Sequence, residues 1–465
     1  MSELNGKISL KEKISYAFGD LASVLYWQTF MLYITYYYTD VFVIPATIAS
    51  YLFLFSRVWD GINDPIMGMI ADRTNTRWGK FRPFLLWLCA PFAVVGVLTF
   101  TVPGFGMTGK IIYAFITFNL LMMLYTAINI PYTALLGVIS PNSLERTSVS
   151  SIKFIFAFLA GTIVSFTLLP MVRALGKGND AKGWQLSFVI YGIAAVVFFL
   201  IAFFNTRERV KPPKSQKSSV KKDLHELITN VPWLILLVTT ITFILFVAVR
   251  SSVTVYYFKY VVGSREFSLP FVGKKFYRFD DVVSVFNGIG QISSLVGALL
   301  INYVAKWLGK KRAFVTLFVI AIISTAFFYV LKPEQIIIIF LLQIIGSLTG
   351  GPLSVLLWAM YADTADYSEW KHGRRATGLV FSASTMSQKM GWALGAFIAL
   401  QLMASVGFQP NVEQTAQSIR GIKLLFSLIP AGLGIIAIAI SLMYPLDEKK
   451  VDRIVKDLAG RREKE

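Results

Sequence analysis

Apolar residues occur along this chain in long unbroken blocks rather than in alternation with polar ones. Charge-free stretches recur over Pro83–Gly109, Ile111–Leu144, Phe154–Val172, Gly183–Thr206, Leu227–Val249, Val282–Ala305, Ala313–Leu331, Gln335–Ala362 and Leu424–Leu446. Most exceed the roughly 20 residues with which an α-helix crosses a bilayer. Short polar loops separate them. The pattern predicts a first helix led in by Lys11–Lys13 and ending near Asp40, and a second over about Ala46–Ala71. A third and fourth follow the loops at Arg82 and Lys110, a fifth begins near Thr147, and a sixth ends at Thr206. Six more fit at about 228–259, 280–305, 311–331, 335–362, 375–405 and 421–445. The expected fold class is therefore an all-α polytopic membrane protein of twelve transmembrane helices.

Between the two sets of six lies Arg207–Asp223, a basic stretch with two prolines and several serines. Such a composition cannot form a core and predicts a linker. The expected organisation is a helical bundle over 1–206, a cytoplasmic linker over 207–227, a second bundle over 228–445 and a tail over 446–465. In the tail, Val451, Ile454, Val455 and Leu458 share a helical spacing, which predicts a short helix lying on the inner leaflet.

Composition agrees with the pattern. Of 465 residues, 55% are hydrophobic and 15% charged, and the mean hydropathy is +0.61. Soluble domains carry about 25% charged residues. A net charge of +19 would suit nucleic acid, but the bases sit in loops, where they set orientation and meet anionic lipid. The loops at Arg73–Arg82, at Lys306–Arg312 and at Lys371–Arg375, together with the linker, hold the concentrations of Lys and Arg, which predicts cytoplasmic termini. Gly263–Asp281 breaks this rule and is expected to be a structured external insertion. The polar start of the chain does not resemble a signal peptide. One cysteine, Cys89, excludes an intrachain disulfide and a cysteine metal site. The two histidines, His225 and His372, form no metal cluster, and no Walker loop or catalytic triad occurs. No enzyme activity and no cofactor are expected.

The chain also repeats itself. Trp78-Gly79-Lys80-Phe81-Arg82 recurs as Leu308-Gly309-Lys310-Lys311-Arg312, and Arg146-Thr147-Ser148 recurs loosely as Arg375-Ala376-Thr377. Two marks at nearly one offset predict two pseudo-symmetric six-helix bundles, the organisation of transporters with a central site.

Against that background one stretch is anomalous. Within Arg57–Pro83, Arg57, Asp60 and Asp64 fall on one helical face. A charge at the bilayer centre costs roughly 2.5–3.5 kcal/mol even on the permissive insertion scale. The corresponding residues of the second half, Asn287-Gly288-Ile289-Gly290-Gln291, are amides and glycines, so helix packing does not demand the acids. They could pair locally with Arg57, or hold a cation. A proton needs one acid of raised pKa. Asp60 and Asp64 with Asn63 and Thr126 offer more oxygens than that, which favours sodium. Asp20, Lys153, Arg250 and Lys389 are the other charges inside spans, with snorkelling to an interface as the alternative for Lys153 and Arg250. Tyr26, Trp27, Tyr125, Trp358 and Trp392 could stack on a sugar or belong to interfacial belts. Pro131 after Asn129, and Gly350-Gly351-Pro352, are expected to bend their helices.

Taken together, these residues resemble a known family. Tyr16-Ala17-Phe18-Gly19-Asp20, Tyr37-Tyr38-Thr39-Asp40, Arg57-Val58-Trp59-Asp60-Gly61-Ile62-Asn63-Asp64-Pro65, Arg77-Trp78-Gly79-Lys80-Phe81-Arg82-Pro83, Asn129-Ile130-Pro131-Tyr132, Ala362-Asp363-Thr364-Ala365-Asp366-Tyr367 and Gln388-Lys389-Met390-Gly391 are similar to motifs of the glycoside–pentoside–hexuronide:cation symporters, the melibiose permease group of the major facilitator superfamily. The likeness covers nearly the whole chain. It implies a cation site at Asp60, Asn63, Asp64 and Thr126, with Asp60 and Asp64 holding Na+ if sodium is the coupling ion. It implies a sugar site at Asp20, Val24, Tyr125, Asn129, Lys153, Thr385 and Lys389. It further implies cytoplasmic gates involving Asp72, Arg73, Arg77, Asp363 and Arg375. Where melibiose permease grips its sugar with two acids and covers it with a tryptophan, this chain has Val24, Asn129 and Thr133, so a glucuronide or a pentoside is expected in place of melibiose. The implied protein is a monomeric sugar:cation symporter of the inner membrane, in contact with lipid and not with nucleic acid. Transport of a non-sugar amphiphile, or sugar sensing without transport, are the alternatives.

Overall fold

The computed structural model describes residues 8–140, 143–209, 229–269, 273–372 and 377–462. Each helix starts and stops where the local chemistry allows. The Ser9 hydroxyl accepts the Glu12 N–H at 3.2 Å to open α1, Leu10–Tyr36. A single π-helical turn, Tyr37–Val41, extends it. Then come α2 (Ala46–Arg73), α3 (Arg82–Thr99), α4 (Met107–Val138), α5 (Ser143–Gly176) and α6 (Asp180–Asn205). Asn230 accepts the Trp233 N–H at 3.1 Å to open α7, Val231–Tyr256, which also ends in a π-helical turn, Tyr257–Val262. A two-stranded antiparallel hairpin follows, β1 (Arg265–Leu269) and β2 (Gly273–Tyr277), with Arg265 opposite Tyr277. It occupies the expected insertion and is the one departure from an all-helical chain among the described residues.

The remaining helices are α8 (Phe279–Leu308), α9 (Lys310–Phe327), α10 (Ile336–Gly350), α11 (Leu353–His372), α12 (Thr377–Ser405), α13 (Ala416–Phe426), α14 (Leu428–Leu442) and α15 (Glu448–Arg462). The predicted tenth span is thus divided at Gly351-Pro352, where proline supplies no N–H to the ladder, and it runs on to His372. The predicted last span is divided at Ser427, whose φ of −129° and ψ of −80° leave the helical region. Pro131, in contrast, interrupts nothing, since α4 is continuous over 32 residues.

Eight segments among the described residues are long and apolar enough to cross a membrane. Helices α1, α2, α9 and α12 have 18 to 29 residues each. At about 1.5 Å per residue they reach comparable lengths, while their charged and small polar residues lower their hydropathy.

The chain forms two compact units. The first contains residues up to Lys214 together with Asp280–Gly288 and Gln409–Val412; the second contains the rest. In the first, α1 packs on α5 and α6, α3 on α4 and α6, and α2 on α4. Its core is aromatic: Tyr16, Tyr26, Tyr33, Tyr37, Tyr38, Tyr132 and Trp184 are essentially fully buried. At the edge of this unit Arg173 grips Asp281 with both terminal nitrogens, at 2.7 and 2.8 Å, and reaches Asp280 at 3.1 Å. In the second unit α7 packs on α12 and α14, and α9 on α10 and α14.

The sequence repeat has a structural meaning. Gly79 has φ +111° and Gly309 φ +79°, a conformation open to glycine at little cost. Each stands at the turn before a helix. In the first unit the Glu208 carboxylate accepts the N–H groups of Lys80, Phe81 and Arg82 at 2.9, 2.8 and 3.0 Å. In the second, Glu448 accepts the Lys310 N–H at 2.6 Å. A carboxylate at a helix N-terminus satisfies donors that the helix cannot. A Cβ on Gly79 would stand 2.5 Å from the Glu208 carboxyl, and one on Gly309 would stand 2.8 Å from Glu448 Cγ. The glycines are small because the glutamates lie against them.

Two expectations need correction. Residues 207–209 do not start a free linker: besides the Glu208 cap, Arg209 forms a two-pronged pair with Glu12 at 2.7 and 2.8 Å. The tail helix does not lay its apolar face on a leaflet. Ile454 and Leu458 are 2% and 5% exposed and join the core of the second unit, and the Trp370 indole donates to Asp457 at 3.0 Å. An apolar pair at i and i+4 needs only some apolar surface, and α11 is near enough to provide it.

Candidate functional site

The four residues expected to hold a cation stand on α2 and α4, which pack together in the first unit. Asp60 and Asn63 on α2 are 1% and 7% exposed, and Thr126 on α4 is 3% exposed. The Thr126 hydroxyl donates to Asp64 Oδ1 at 3.1 Å. A hydroxyl that gives its proton to a carboxylate keeps two lone pairs directed elsewhere. The donor set is two carboxylates, an amide oxygen and a hydroxyl, all hard oxygen. It contains no group of three or more His, Cys, Asp or Glu that could hold a metal, and none occurs among the described residues. It suits a weakly held monovalent cation or a proton, the cargo of a coupled transporter, better than a resident transition metal. The Asn63 Nδ2 has no hydrogen-bond partner among the described residues.

A second group stands on α1, α4 and α5 of the same unit, and two of the sequence motifs interlock to build it. Tyr16 and Tyr132 stack at 4.6 Å. Each hydroxyl donates to the other's carbonyl, Tyr16 to Tyr132 at 3.0 Å and Tyr132 to Tyr16 at 2.8 Å. A Cβ on Gly19 would lie 2.5 Å from the Tyr132 ring, so the glycine before Asp20 admits that ring. Asp20 then pairs with Lys153 at 3.4 Å, and the Lys153 ammonium lies 5.4 Å from the Tyr132 ring centroid. Lys153 therefore does not snorkel to an interface. Its charge is held by an acid and an aromatic face.

Along α1, Asp20, Val24 and Trp27 fall at i, i+4 and i+7 and are all half-buried. Trp27 stacks on Tyr125 of α4 at 5.4 Å and 22°. One turn later Asn129 donates its amide to the Tyr125 carbonyl at 2.9 Å, which leaves its side-chain oxygen as an acceptor. The result is a flat aromatic platform beside an ion pair and an amide. Aromatic faces meet the C–H side of a polyol while charged and amide groups meet its hydroxyls.

In the second unit Lys389 is half-buried on α12. Arg250 is held inside that unit: its guanidinium donates to Gln343 Oε1 at 3.0 Å and lies 5.0 and 4.8 Å from the Phe328 and Phe426 rings. Of the residues assigned to gates, Asp363 pairs with Lys310 at 2.6 Å. Arg77 is exposed and stacks over Trp78 at 4.4 Å, and Arg73 is exposed. Arg375 and the side chains of Arg57, Asp72 and Thr385 lie outside the described residues. Sequence reasoning missed Lys310 as the partner of Asp363 and Glu208 as the cap of α3. The repeat held a signal for Glu208, because a glutamate follows the last long helix of each half.

Known proteins resemble this chain over nearly its whole length. A family profile described as MFS/sugar transport protein matches residues 15–448. The chain is 35% identical over 457 residues, 98% of its own length and 96% of the relative's, to the putative glycoside/cation symporter YagG of Escherichia coli (strain K12). It is also 35% identical to the isoprimeverose transporter of Lactiplantibacillus pentosus, covering 94% of this chain and 89% of that one. It is 28% identical to the glucuronide carrier protein homolog of Escherichia coli (strain K12), covering 99% and 97%. Among solved structures, PepTSo2 superposes with a TM-score of 0.67 over 96% of this chain and 98% of its own, at 13% identity. The nucleoside transporter NupG superposes with a TM-score of 0.65 over 94% and 100%, also at 13%. Those likenesses establish the major facilitator fold and nothing about cargo. The chain belongs to the MFS/sugar transport protein family, whose members are membrane transporters and not enzymes.

Proposed function

We propose that this protein is a secondary active symporter that imports a glycoside, pentoside or hexuronide together with Na+ or H+. The observation that carries the reading is the Thr126–Asp64 hydrogen bond. It ties the acidic face of α2 to α4, the helix that presents Tyr125 and Asn129 to the aromatic platform. A cation arriving at Asp60 and Asp64 neutralises those acids and draws on the free lone pairs of Thr126. That fixes α4 next to Tyr125, so the sugar meets an ordered surface. The coupling is reciprocal by thermodynamic necessity. The names of the glycoside/cation and isoprimeverose relatives support this cargo.

On this reading Asp20, Val24, Tyr125, Asn129 and Lys153 contact the sugar from the first bundle, and Thr385 and Lys389 from the second. The domain plan is a first bundle that keeps residues 207–209, a linker after them, and a second bundle over 228–445 whose core takes in the tail helix. The protein works as a monomer in the inner membrane with both termini cytoplasmic, and alternating access turns on the charged loops that carry Arg73, Arg77, Asp363 and Arg375. The test is radiolabelled uptake of a panel of glycosides, pentosides and glucuronides into proteoliposomes under imposed sodium or proton gradients. Uphill accumulation of one class under one gradient is expected. Uptake that ignores both gradients for every sugar overturns the proposal.

A further inference from the structure

At the end of α8 an outward apolar stripe runs into a basic cleft. Ile292, Val296, Leu299, Tyr303 and Trp307 succeed one another along one helix face and are 46%, 42%, 67%, 73% and 84% exposed. In a bilayer such a stripe faces acyl chains. The charge-free run of this helix ends at Ala305, with Lys306 next, so Trp307 stands just past it, at the headgroup level where indole rings concentrate.

Beyond Trp307 opens a cleft of about 860 Å³ between the α8–α9 turn and the start of α15. Two of its three acids accept backbone N–H groups and keep their charge. Glu448 accepts the Lys310 N–H at 2.6 Å, and Asp447 accepts the Lys450 N–H at 2.9 Å, leaving Asp452. Lys306, Arg312 and Lys449 are exposed and make no hydrogen bond or ion pair among the described residues. The Lys311 ammonium is held by two neutral carbonyls, of Leu442 at 2.8 Å and Tyr444 at 2.7 Å. With Lys310 paired, four cationic side chains face three carboxylates, a positive excess placed where an apolar stripe meets the polar boundary.

We infer that this cleft binds the phosphate headgroup of an anionic glycerophospholipid whose acyl chains lie along the stripe. Free phosphate would use the same bases but has no use for the exposed leucine, tyrosine and tryptophan. The site lies entirely in the second unit and involves none of the residues assigned to cation or sugar, so it stands or falls apart from the transport reading.

The test uses the full chain in phosphatidylcholine nanodiscs doped with brominated phosphatidylglycerol or brominated phosphatidylcholine. The difference in fluorescence quenching between the wild type and Trp307→Phe isolates one indole of ten. Brominated phosphatidylglycerol is expected to quench Trp307 at a mole fraction about a hundredfold lower than brominated phosphatidylcholine, three bases at roughly fivefold each. Each basic side chain near the surface contributes roughly fivefold, so Lys306→Gln/Arg312→Gln should raise the midpoint about thirtyfold, with the melting temperature unchanged. Lys449→Gln, on a different element, should shift it the same way by roughly fivefold. Equal midpoints for the two lipids, or midpoints unmoved by all three substitutions, overturn the site. Relief of quenching by millimolar glycerophosphate assigns the cleft to soluble phosphate and overturns the lipid assignment.

Discussion

Thr126 on α4 and Asp64 on α2 are joined by a 3.1 Å hydrogen bond from hydroxyl to carboxylate. Hydrogen bonds to charged groups contribute about 1.5–3 kcal/mol. Thr126→Ala should therefore weaken cation activation of uptake by roughly ten- to a hundredfold. Sugar uptake measured against cation concentration would show a right-shifted curve with an intact plateau at high cation. Thr126→Ser, which keeps the hydroxyl, should fall close to the wild type.

Asp60 is nearly fully buried, and nothing in the packing of the duplicated half calls for an acid at the matching position. Asp60→Asn should fold and reach the membrane, yet lose accumulation against a gradient while retaining downhill sugar exchange. Gradient-driven accumulation at the wild-type level in that variant would remove Asp60 from the cation site.

Lys153 is balanced by Asp20 and by the Tyr132 ring. Removing one partner of a buried pair costs about 3–5 kcal/mol, and this half-buried pair should cost less. Lys153→Met should lower both the melting temperature and sugar affinity. Adding Asp20→Asn should restore much of the stability without restoring affinity. Recovery of both would show that the pair is structural only.

The two turns before α3 and α9 offer a matched comparison. Glu208 satisfies three backbone donors and Glu448 one. At about 1–3 kcal/mol for each buried donor left unmet, Glu208→Ala should lower the detergent melting temperature more than Glu448→Ala. Gly79→Ala should act like Glu208→Ala, because its new methyl displaces the same carboxylate. A larger loss in Glu448→Ala would reverse that order.

Much of this was legible in the chain because bilayers restrict what a sequence can do. Apolar blocks gave the spans, and an acid on an apolar face stood out because it is costly there. The break within residues 350–353 falls at the Gly350-Gly351-Pro352 expected to bend its helix, whereas the break at Ser427 was harder, since hydropathy is blind to a local change of backbone angle. The tail was misjudged for a related reason. A spacing of Ile454 and Leu458 reports an apolar face and not what covers it. The Tyr16–Tyr132 clasp and the role of Gly19 were invisible, because they join residues 116 positions apart through carbonyls that no side-chain pattern encodes. Lys310 was noticed only as a loop base, although its partner Asp363 had been singled out on its own.

Each half closes its recurring turn with a glutamate from its own unit, Glu208 in the first and Glu448 in the second. Neither borrows the other's. A module that brings its own clasp can be copied whole, and the copy is then free to lose any residue the clasp does not use. The acids of α2 are of that kind: the first half carries Asp60 and Asp64 where the second carries Asn287 and Gln291. The two halves can therefore differ in charge at those positions without disturbing the scaffold that carries both.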